Sequence, residues 1–237
     1  KSPMASSDNA RSRRTFVKQM GVASAVVIAG ADPMPLAAAA VGSRAGIPRA
    51  ASEWNLAWIA KLGGATDRAV FDWPSLGTPA DPTMVELADR YLKNCAAAYG
   101  SQRYVARIVV NIRTQAIPAA LNDAMWQRFG LGAEYKLADP TTSQPAVRNP
   151  FWYRAPDPAP GITLPCLADL QREGAIILAC DFALTNLSKR LAGRMNQSAE
   201  EIHTTLRANL VTGAFAVPSG IFGLARAQNA GCALVHL

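Results

Sequence analysis

GAIILACDFA, residues 174–183, is the stretch of sequence that decides the fold. Its apolar centre, residues 175–179, follows a glycine and ends at Cys180. A continuous apolar run of this length is typical of a strand that is buried on both faces of a parallel sheet. Ligands of such sheets collect beyond the carboxyl ends of the strands. The sequence therefore places the Cys180 thiol where an α/β protein usually binds its ligand. Two roles stay open for it, a reactive group or a small buried hydrophobe.

Strand and helix patterns alternate on both sides of this run. Apolar and β-branched residues predict five strands, at residues 67–73, 104–112, 175–180, 212–217 and 232–237. Helical spacing predicts helices over residues 53–62, 81–99, 118–129, 165–173, 184–195, 199–209 and 221–229. Ser198 and Glu201 have the spacing of a capping box. This order predicts a three-layer α/β/α domain with a five-stranded, mainly parallel sheet and right-handed crossovers.

The composition is that of an ordinary globular protein, since half of the 237 residues are hydrophobic and 17% are charged. The net charge is +7, but residues 1–40 hold five basic and two acidic residues, which leaves +4 for the rest. No Lys/Arg cluster is interleaved with aromatic residues, which argues against a nucleic-acid partner. Neither a GxGxxG motif nor a P-loop occurs, and we expect no cofactor.

The N-terminal residues predict export from the cytoplasm. Ser-Arg-Arg-Thr-Phe-Val-Lys at residues 12–18 resembles a twin-arginine motif, residues 21–31 are apolar, and Ala38 with Ala40 fits a cleavage site. We predict a twin-arginine signal peptide at residues 1–40, a flexible leader at 41–52 and a single domain at 53–237. The expected location is the bacterial periplasm, reached through the twin-arginine translocase. An uncleaved N-terminal anchor is the alternative.

Residues 133–165 form a long insertion with little regular pattern. Loops of this length are usually functional or disordered. The aromatic residues Phe151, Trp152 and Tyr153 predict that this one is held against the body of the protein. Trp54 and Trp58, in the first predicted helix, are interpreted as a packing face rather than a ligand platform.

Segments of the C-terminal half resemble the DsrE/DsrF-like family. They are ILACDFA at residues 177–183, VPSGI at 217–221 and ARAQNAG at 225–231. Residues 126–132 and 148–151 are also similar to exported members with a twin-arginine leader, and the resemblance extends over residues 54–237. It implies a domain that often forms trimers or hexamers. In some members a cysteine just after the third strand relays sulfur as a persulfide, and Cys180 stands at the comparable place.

Four cysteines occur, Cys95, Cys166, Cys180 and Cys232. The apolar stripe around Cys95 and the strand around Cys232 predict that these two belong to the core. The rise of a helix and of a strand places Cys166 near the same edge of the sheet as Cys180. The two are either a disulfide or persulfide-resolving pair, which an exported protein permits, or two unconnected thiols.

Polar residues at the predicted strand ends are candidates for binding a small anionic sulfur species. Arg113 follows the second strand and would favour a reactive Cys180 if it reached inward, whereas Asp181 would oppose it. Ser219 and Gly220 open a helix after a strand. Such a turn suits an anion such as sulfite, thiosulfate or a carboxylate, although an ordinary N-cap is the alternative.

Other polar residues carry less information. We assign Asn149 to the same binding role as Arg113. His203 and His236 have no Cys or His partner at metal spacing, so we predict no metal site. Asp72 and Asp139 look like loop carboxylates without a clear partner.

Two classes of function follow from the sequence. The first is a sulfur-handling enzyme or carrier that uses Cys180, with Cys166 as a possible resolving thiol. The second is a non-catalytic binding or assembly module of the same fold. The family resemblance implies a homo-oligomer, and the second class predicts a defined oligomer without thiol reactivity.

Overall fold

The computed structural model describes residues 53–77, 83–100, 105–154 and 164–236. These residues belong to one compact unit, Ala50–Leu237. The predicted signal peptide and leader lie outside the described residues. Within the described ranges, no helix has both the length and the apolar character needed to cross a bilayer.

Five parallel strands form the sheet at the centre of the domain. They are β1 (Asp67–Trp73), β2 (Ala106–Ile112), β3 (Ile176–Cys180), β4 (Phe215–Val217) and β5 (Ala233–Val235). Their order is β4-β3-β2-β1-β5, and every neighbouring pair is parallel. The predicted α/β class, with its five-stranded sheet between layers of helices, is confirmed.

Seven α-helices and two 3₁₀ helices are found in the described residues. The α-helices are α1 (Thr83–Tyr99), α2 (Asp123–Phe129), α3 (Leu131–Glu134), α4 (Leu167–Arg172), α5 (Asp181–Met195), α6 (Ala199–Ala208) and α7 (Gly220–Asn229). The 3₁₀ helices are Ala60–Leu62 and Thr114–Ala120. The capping box that begins α6 at Ser198 is confirmed.

Alternate residues of the strands build two separate cores, because successive side chains of a strand point to opposite faces. Ala69 and Phe71 of β1 are buried in the larger core, which includes residues of α1 and α5. Val70, between them, is buried in the smaller core with Trp58 and with Ala227 of α7. All five residues of β3 are buried, as expected of a strand covered on both faces.

The register of the sheet aligns the strand ends that matter for the site. Ala179 of β3 pairs with Ile112 of β2, and Cys180 pairs with Val217 of β4. The chain leaves all three strands at the same edge, because parallel strands run in one direction. Residues directly after these strands are therefore brought together.

Three of the predicted helices differ from the structure. Residues 53–62 contain only the 3₁₀ helix Ala60–Leu62. The segment 118–129 is divided, because Asn122 caps α2 by accepting a hydrogen bond from the Met125 N–H. Helix α5 begins at Asp181 rather than at residue 184, so that Cys180 is its N-cap.

The aromatic residues at 54 and 58, and those at 151–153, pack against the rest of the domain. Trp58 is fully buried, and the Arg207 guanidinium lies 4.3 Å from the centre of the Trp54 ring. Phe151 is buried against Trp73, with 5.6 Å between the ring centres. The carbonyl of Phe151 also accepts a hydrogen bond from the N–H of Leu167, at 3.0 Å. The prediction that these aromatics hold the insertion against the domain is confirmed for its described residues.

Candidate functional site

Cys180 lies at the junction of β3 and α5. It is the last residue of β3, and its Sγ accepts a hydrogen bond from the Ala183 N–H at 3.3 Å. The free N–H groups at the start of a helix favour a negative charge. A thiolate or persulfide anion at this place would therefore accept a stronger hydrogen bond than the neutral thiol does.

A cavity of about 430 Å³ adjoins the Cys180 residue. We call it the Cys180 pocket. Its lining consists of Thr114 and Gln115 beyond β2 and, from β3 and α5, of Cys180, Phe182, Ala183, Asn186, Leu187, Lys189 and Arg190. The lining is largely apolar, with two cationic side chains, and the volume is in the range of small-molecule sites. Cys180 itself is 4% exposed and lines this pocket.

Thr114 stands in an unusual backbone conformation at the wall of the Cys180 pocket. Its φ is 46°, in the left-handed region that β-branched residues rarely occupy. Its hydroxyl donates a hydrogen bond to the Pro74 carbonyl, which holds the residue in place. Strained backbone of this kind concentrates at functional sites.

Arg113 does reach inward, but a carboxylate holds it. Its Nε and Nη2 each donate a hydrogen bond to Asp72, both at 2.7 Å. The hydrogen bond from Arg113 to Asp72 raises the pKa of the guanidinium, burial opposes this, and the charges of Asp72 and Cys180 add to the increase. Arg113 thus lies within electrostatic range of Cys180 while two of its donors are bound to Asp72.

Asp72 is the centre of a polar cluster at the ends of β1, β2 and β5. Besides Arg113, it accepts a hydrogen bond from Asn111 Nδ2 at 3.3 Å and lies 3.2 Å from His236 Nδ1. Burial by itself would raise the pKa of Asp72, but the hydrogen bonds and charge of Arg113 outweigh it and lower the pKa. We call these four residues the sheet-edge cluster. The prediction that Asp72 has no clear partner was wrong.

The Ser219–Gly220 turn lies against the sheet-edge cluster. Ser219 caps α7, since its Oγ accepts a hydrogen bond from the Phe222 N–H at 3.1 Å. A Cβ atom on Gly220 would be 2.6 Å from Cδ of Arg113, so only glycine lets the arginine pass this closely. Ser219 is therefore the N-cap of α7, as one of the two interpretations of this turn expected, and Arg113 lies beside the turn. Anion binding at this turn stays a prediction.

Asp181 faces α6. Its Oδ1 is 3.0 Å from His203 Nε2 and 3.7 Å from Arg207 Nε. The carboxylate charge next to Cys180 is thus partly balanced by residues of α6, which weakens the expected opposition to a thiolate. In the described part of the chain, no three His, Cys, Asp or Glu side chains group closely enough to hold a metal ion.

Cys166 is directed to a carboxylate of its own helix. It is the N-cap residue of α4, and its thiol donates a hydrogen bond to Asp169 Oδ2 at 3.2 Å. Burial raises the pKa of Cys166, and the negative charge of Asp169 adds to the increase. All four cysteines are free and buried, as predicted for Cys95 and Cys232. Cys166 and Cys180 have different hydrogen-bond partners and no disulfide joins them, so the structure does not support the predicted pair.

The lowered pKa of Asp169 leads us to expect that the folded protein loses stability in acid. Burial alone would raise its pKa, but hydrogen bonds from Arg154 and Arg172 lower it to about 2. A carboxyl group whose pKa is lower in the folded chain stabilises the fold above pH ~4 and loses this effect as the pH falls toward about 2. We expect a contribution of about 1–2 kcal/mol, because both arginines face solvent, where ion pairs are screened.

The test of this prediction compares wild type with Asp169→Asn by urea unfolding between pH 5 and pH 2. The difference in the free energy of unfolding should shrink as the pH falls, because wild-type Asp169 becomes protonated. A difference that does not change with pH would contradict the assignment. The other carboxyl groups titrate in both proteins, so their contribution cancels in this difference between wild type and variant.

Asn149 is a structural residue. It is fully buried, and its Nδ2 donates hydrogen bonds to the carbonyls of Ala119 and Leu121 at 2.9 and 2.7 Å. Its Oδ1 accepts a hydrogen bond from the N–H of Phe151 at 3.0 Å. No polar atom of the side chain is left for a ligand, and none of these contacts belongs to the sheet-edge cluster. The assignment of Asn149 to substrate binding is therefore corrected.

Of the residues singled out from the sequence, Cys180, Arg113, Ser219 and Gly220 do gather at one edge of the sheet. Asp72, Asn111 and His236 were missed as parts of that edge. A signal was present, because each of the three lies in or just after a predicted strand, near its carboxyl end. Comparing the polar residues at all the strand ends would have found them.

The chain matches no protein-family model, no curated protein and no solved structure at a significant level. The resemblance to the DsrE/DsrF-like family therefore stays a prediction.

Proposed function

We propose that this chain is an exported, DsrE-like sulfur carrier in which the Cys180 thiol binds sulfane sulfur. The observation that supports this most is the position of Cys180, at the end of β3, at the N-terminus of α5 and in the wall of the Cys180 pocket. The helix N-terminus favours an anionic sulfur, and the pocket offers room for a donor molecule.

The proposed reaction is a transfer of one sulfur atom. The Cys180 thiolate attacks the outer sulfur of thiosulfate, and a sulfur–sulfur bond forms to the protein. The original sulfur–sulfur bond of thiosulfate breaks, and sulfite leaves with the bonding electron pair. The product is a cysteine persulfide anion, and the step needs no further oxidant or reductant.

The charges around the Cys180 pocket fit an anionic donor. Lys189 and Arg190 line the pocket, and Arg113 lies within electrostatic range of Cys180. Arg190 is held over the Tyr135 ring, at 5.5 Å from its centre, and donates a hydrogen bond to its hydroxyl. Cations that line a cleft raise the local concentration of anions and speed their association.

Cys180→Ser is expected to abolish sulfur uptake. Wild-type protein incubated with thiosulfate, or with polysulfide as a more reactive donor, should gain the mass of one sulfur atom per chain. The variant should gain none, because a serine hydroxyl does not act as the sulfur nucleophile at this site. Intact-mass spectrometry before and after reduction measures the adduct and counts the free thiols.

Cys232→Ala is the matched control, because burial raises the pKa of the Cys232 thiol and keeps it neutral. The control should take up sulfur as wild type does. Uptake by Cys180→Ser at the wild-type stoichiometry, in protein with an unchanged melting curve, would remove this proposal.

A non-catalytic assembly module is the second candidate, and two exposed apolar side chains favour it. Phe182 and Ile221 are 64% and 73% exposed. They open neighbouring helices, since the Phe182 N–H donates to the carbonyl of Pro218 at 3.3 Å. In this case the protein forms a defined homo-oligomer by light scattering, and Cys180 resists iodoacetamide in the native state. Rapid alkylation of Cys180 would favour the carrier.

A further inference from the structure

A second cavity, of about 440 Å³, lies at the amino edge of the sheet. Its lining includes Arg107, Ile176 and Phe215, which stand at or near the first positions of β2, β3 and β4. The strands run away from this edge toward Cys180, and the two cavities have no lining residue in common. We call the second cavity the amino-edge pocket.

Arg107 brings a positive charge to the amino-edge pocket. Among the described residues, the only hydrogen bond found for its guanidinium is a long one, 3.5 Å from Nη1 to the Ala106 carbonyl. No salt bridge to Arg107 or to Lys61 occurs in the described part of the chain. A half-buried guanidinium presents a planar fork of donors that matches the oxygens of a carboxylate or phosphate.

The neighbouring arginine shows what a structural guanidinium looks like here. Arg68 of β1 is paired in register with Arg107. It donates hydrogen bonds to the carbonyls of Leu62, Ala230 and Ala65, at 2.9, 3.0 and 3.3 Å. Arg68 thus stabilises the fold, whereas the guanidinium of Arg107 forms only one long hydrogen bond within the described residues.

Lys61 and Phe215 also line the pocket. Nζ of Lys61 lies 5.0 Å from the centre of the Phe215 ring, so a second cation stands over an apolar surface. Ile176 adds further apolar surface. Gly174 keeps the space beside Arg107 open, because a Cβ atom there would be 3.2 Å from Nη1 of Arg107.

We propose that the amino-edge pocket binds a small organic anion, with a carboxylate or phosphate group on Arg107 and Lys61. The volume exceeds the need of a bare inorganic ion and matches the range of small-molecule sites. An apolar part about the size of an aromatic ring packs against Phe215 and Ile176. The site is independent of the sulfur chemistry proposed for Cys180.

The test uses benzoate, phenyl phosphate and inorganic phosphate as probes, with benzamide as the uncharged analogue of benzoate. Binding is measured by NMR titration of the full chain. We expect benzoate or phenyl phosphate to bind, and benzamide and inorganic phosphate to bind at least about tenfold more weakly, since each lacks one half of the contact. Which of the two organic anions binds more tightly identifies the preferred head group.

Arg107→Gln is expected to weaken binding of the organic anion about tenfold or more, because it removes a charge-assisted pair of hydrogen bonds. Lys61→Gln should weaken it less. Lys93→Gln removes a positive charge elsewhere, from a largely exposed lysine that pairs with Asp89, and should bind as wild type does. Cys180→Ser should also leave binding unchanged, which separates this proposal from the sulfur carrier.

Three results would each overturn the proposal. They are binding of benzamide as tight as that of the better organic anion, unchanged affinity for that anion in Arg107→Gln, and no detectable binding of either organic anion by wild type. A melting curve of Arg107→Gln that matches wild type shows that any loss of binding is local.

Discussion

Alanine at position 132 is expected to destabilise the protein by about 3 kcal/mol. Gly132 is buried in α3, at the start of the insertion. A Cβ atom there would be 2.2 Å from the carbonyl oxygen of Ala146 and 2.3 Å from its nitrogen. The clash is with backbone, which cannot rotate away as a side chain can. Urea unfolding, or soluble yield if the variant does not fold, measures the effect.

The backbone at Ala146 is itself held in place. Its N–H donates to the carbonyl of Leu137 at 2.9 Å, and the N–H of Leu137 donates to the carbonyl of Gly132 at 2.8 Å. Ala138 and Pro145 form an antiparallel bridge next to it. Moving Ala146 to accept a methyl group would therefore break several hydrogen bonds at once.

Gly193→Ala is the matched control for this substitution. Gly193 is an exposed residue of α5, and a Cβ atom there would have no neighbour within 4 Å. Alanine is favoured over glycine within a helix, so this variant should be more stable by up to about 1 kcal/mol. A loss below about 1 kcal/mol in Gly132→Ala would show that residues 137–146 do not pack on α3 as described.

Asp72→Ala is expected to cost about 3 kcal/mol, because it leaves the inward-facing charge of Arg113 without its partner. Three groups lose a hydrogen-bond acceptor or ion pair at once, namely Arg113, Asn111 and His236. Asn111 is fully buried, and its Oδ1 has no hydrogen-bond partner among the described residues. Urea unfolding at neutral pH measures the loss.

Two further variants separate the ion pair from general damage. Asp72→Ala combined with Arg113→Met should be less destabilised than Asp72→Ala alone, because the unpaired cation is gone. Asp89→Ala removes a carboxylate whose partner, Lys93, is largely exposed, and should cost at most about 1 kcal/mol. Equal losses in Asp72→Ala and Asp89→Ala would contradict a special role for the sheet-edge cluster.

Local patterns in the sequence account for most of the fold. The limits of β1 were predicted correctly, because its apolar residues are flanked by charged residues and by a proline. The start of α6 was predicted because a capping box is formed by residues three apart. These features depend on residues that are close in sequence, so they can be predicted from the sequence.

The errors fall where short-range patterns compete with distant contacts. Trp54 and Trp58 have helical spacing, but Trp58 is buried under the sheet and Trp54 packs with Arg207 of α6. Residues 56–63 are held by i→i+3 hydrogen bonds together with these contacts, and no α-helix forms there. Likewise Asn149 looked like a polar residue in a loop, and only its hydrogen bonds to Ala119 and Leu121 show that it supports the fold.

The position of Cys180 was determined by the sequence alone, since an apolar run ending at a cysteine predicts a buried strand with the thiol at its carboxyl end. Only the tertiary structure decided which groups surround it. Asp72 and Arg113 are 41 residues apart, and no local pattern links them. The parallel register of the strands brings their ends together, and burial then makes a paired carboxylate and guanidinium far more stable than separate charges.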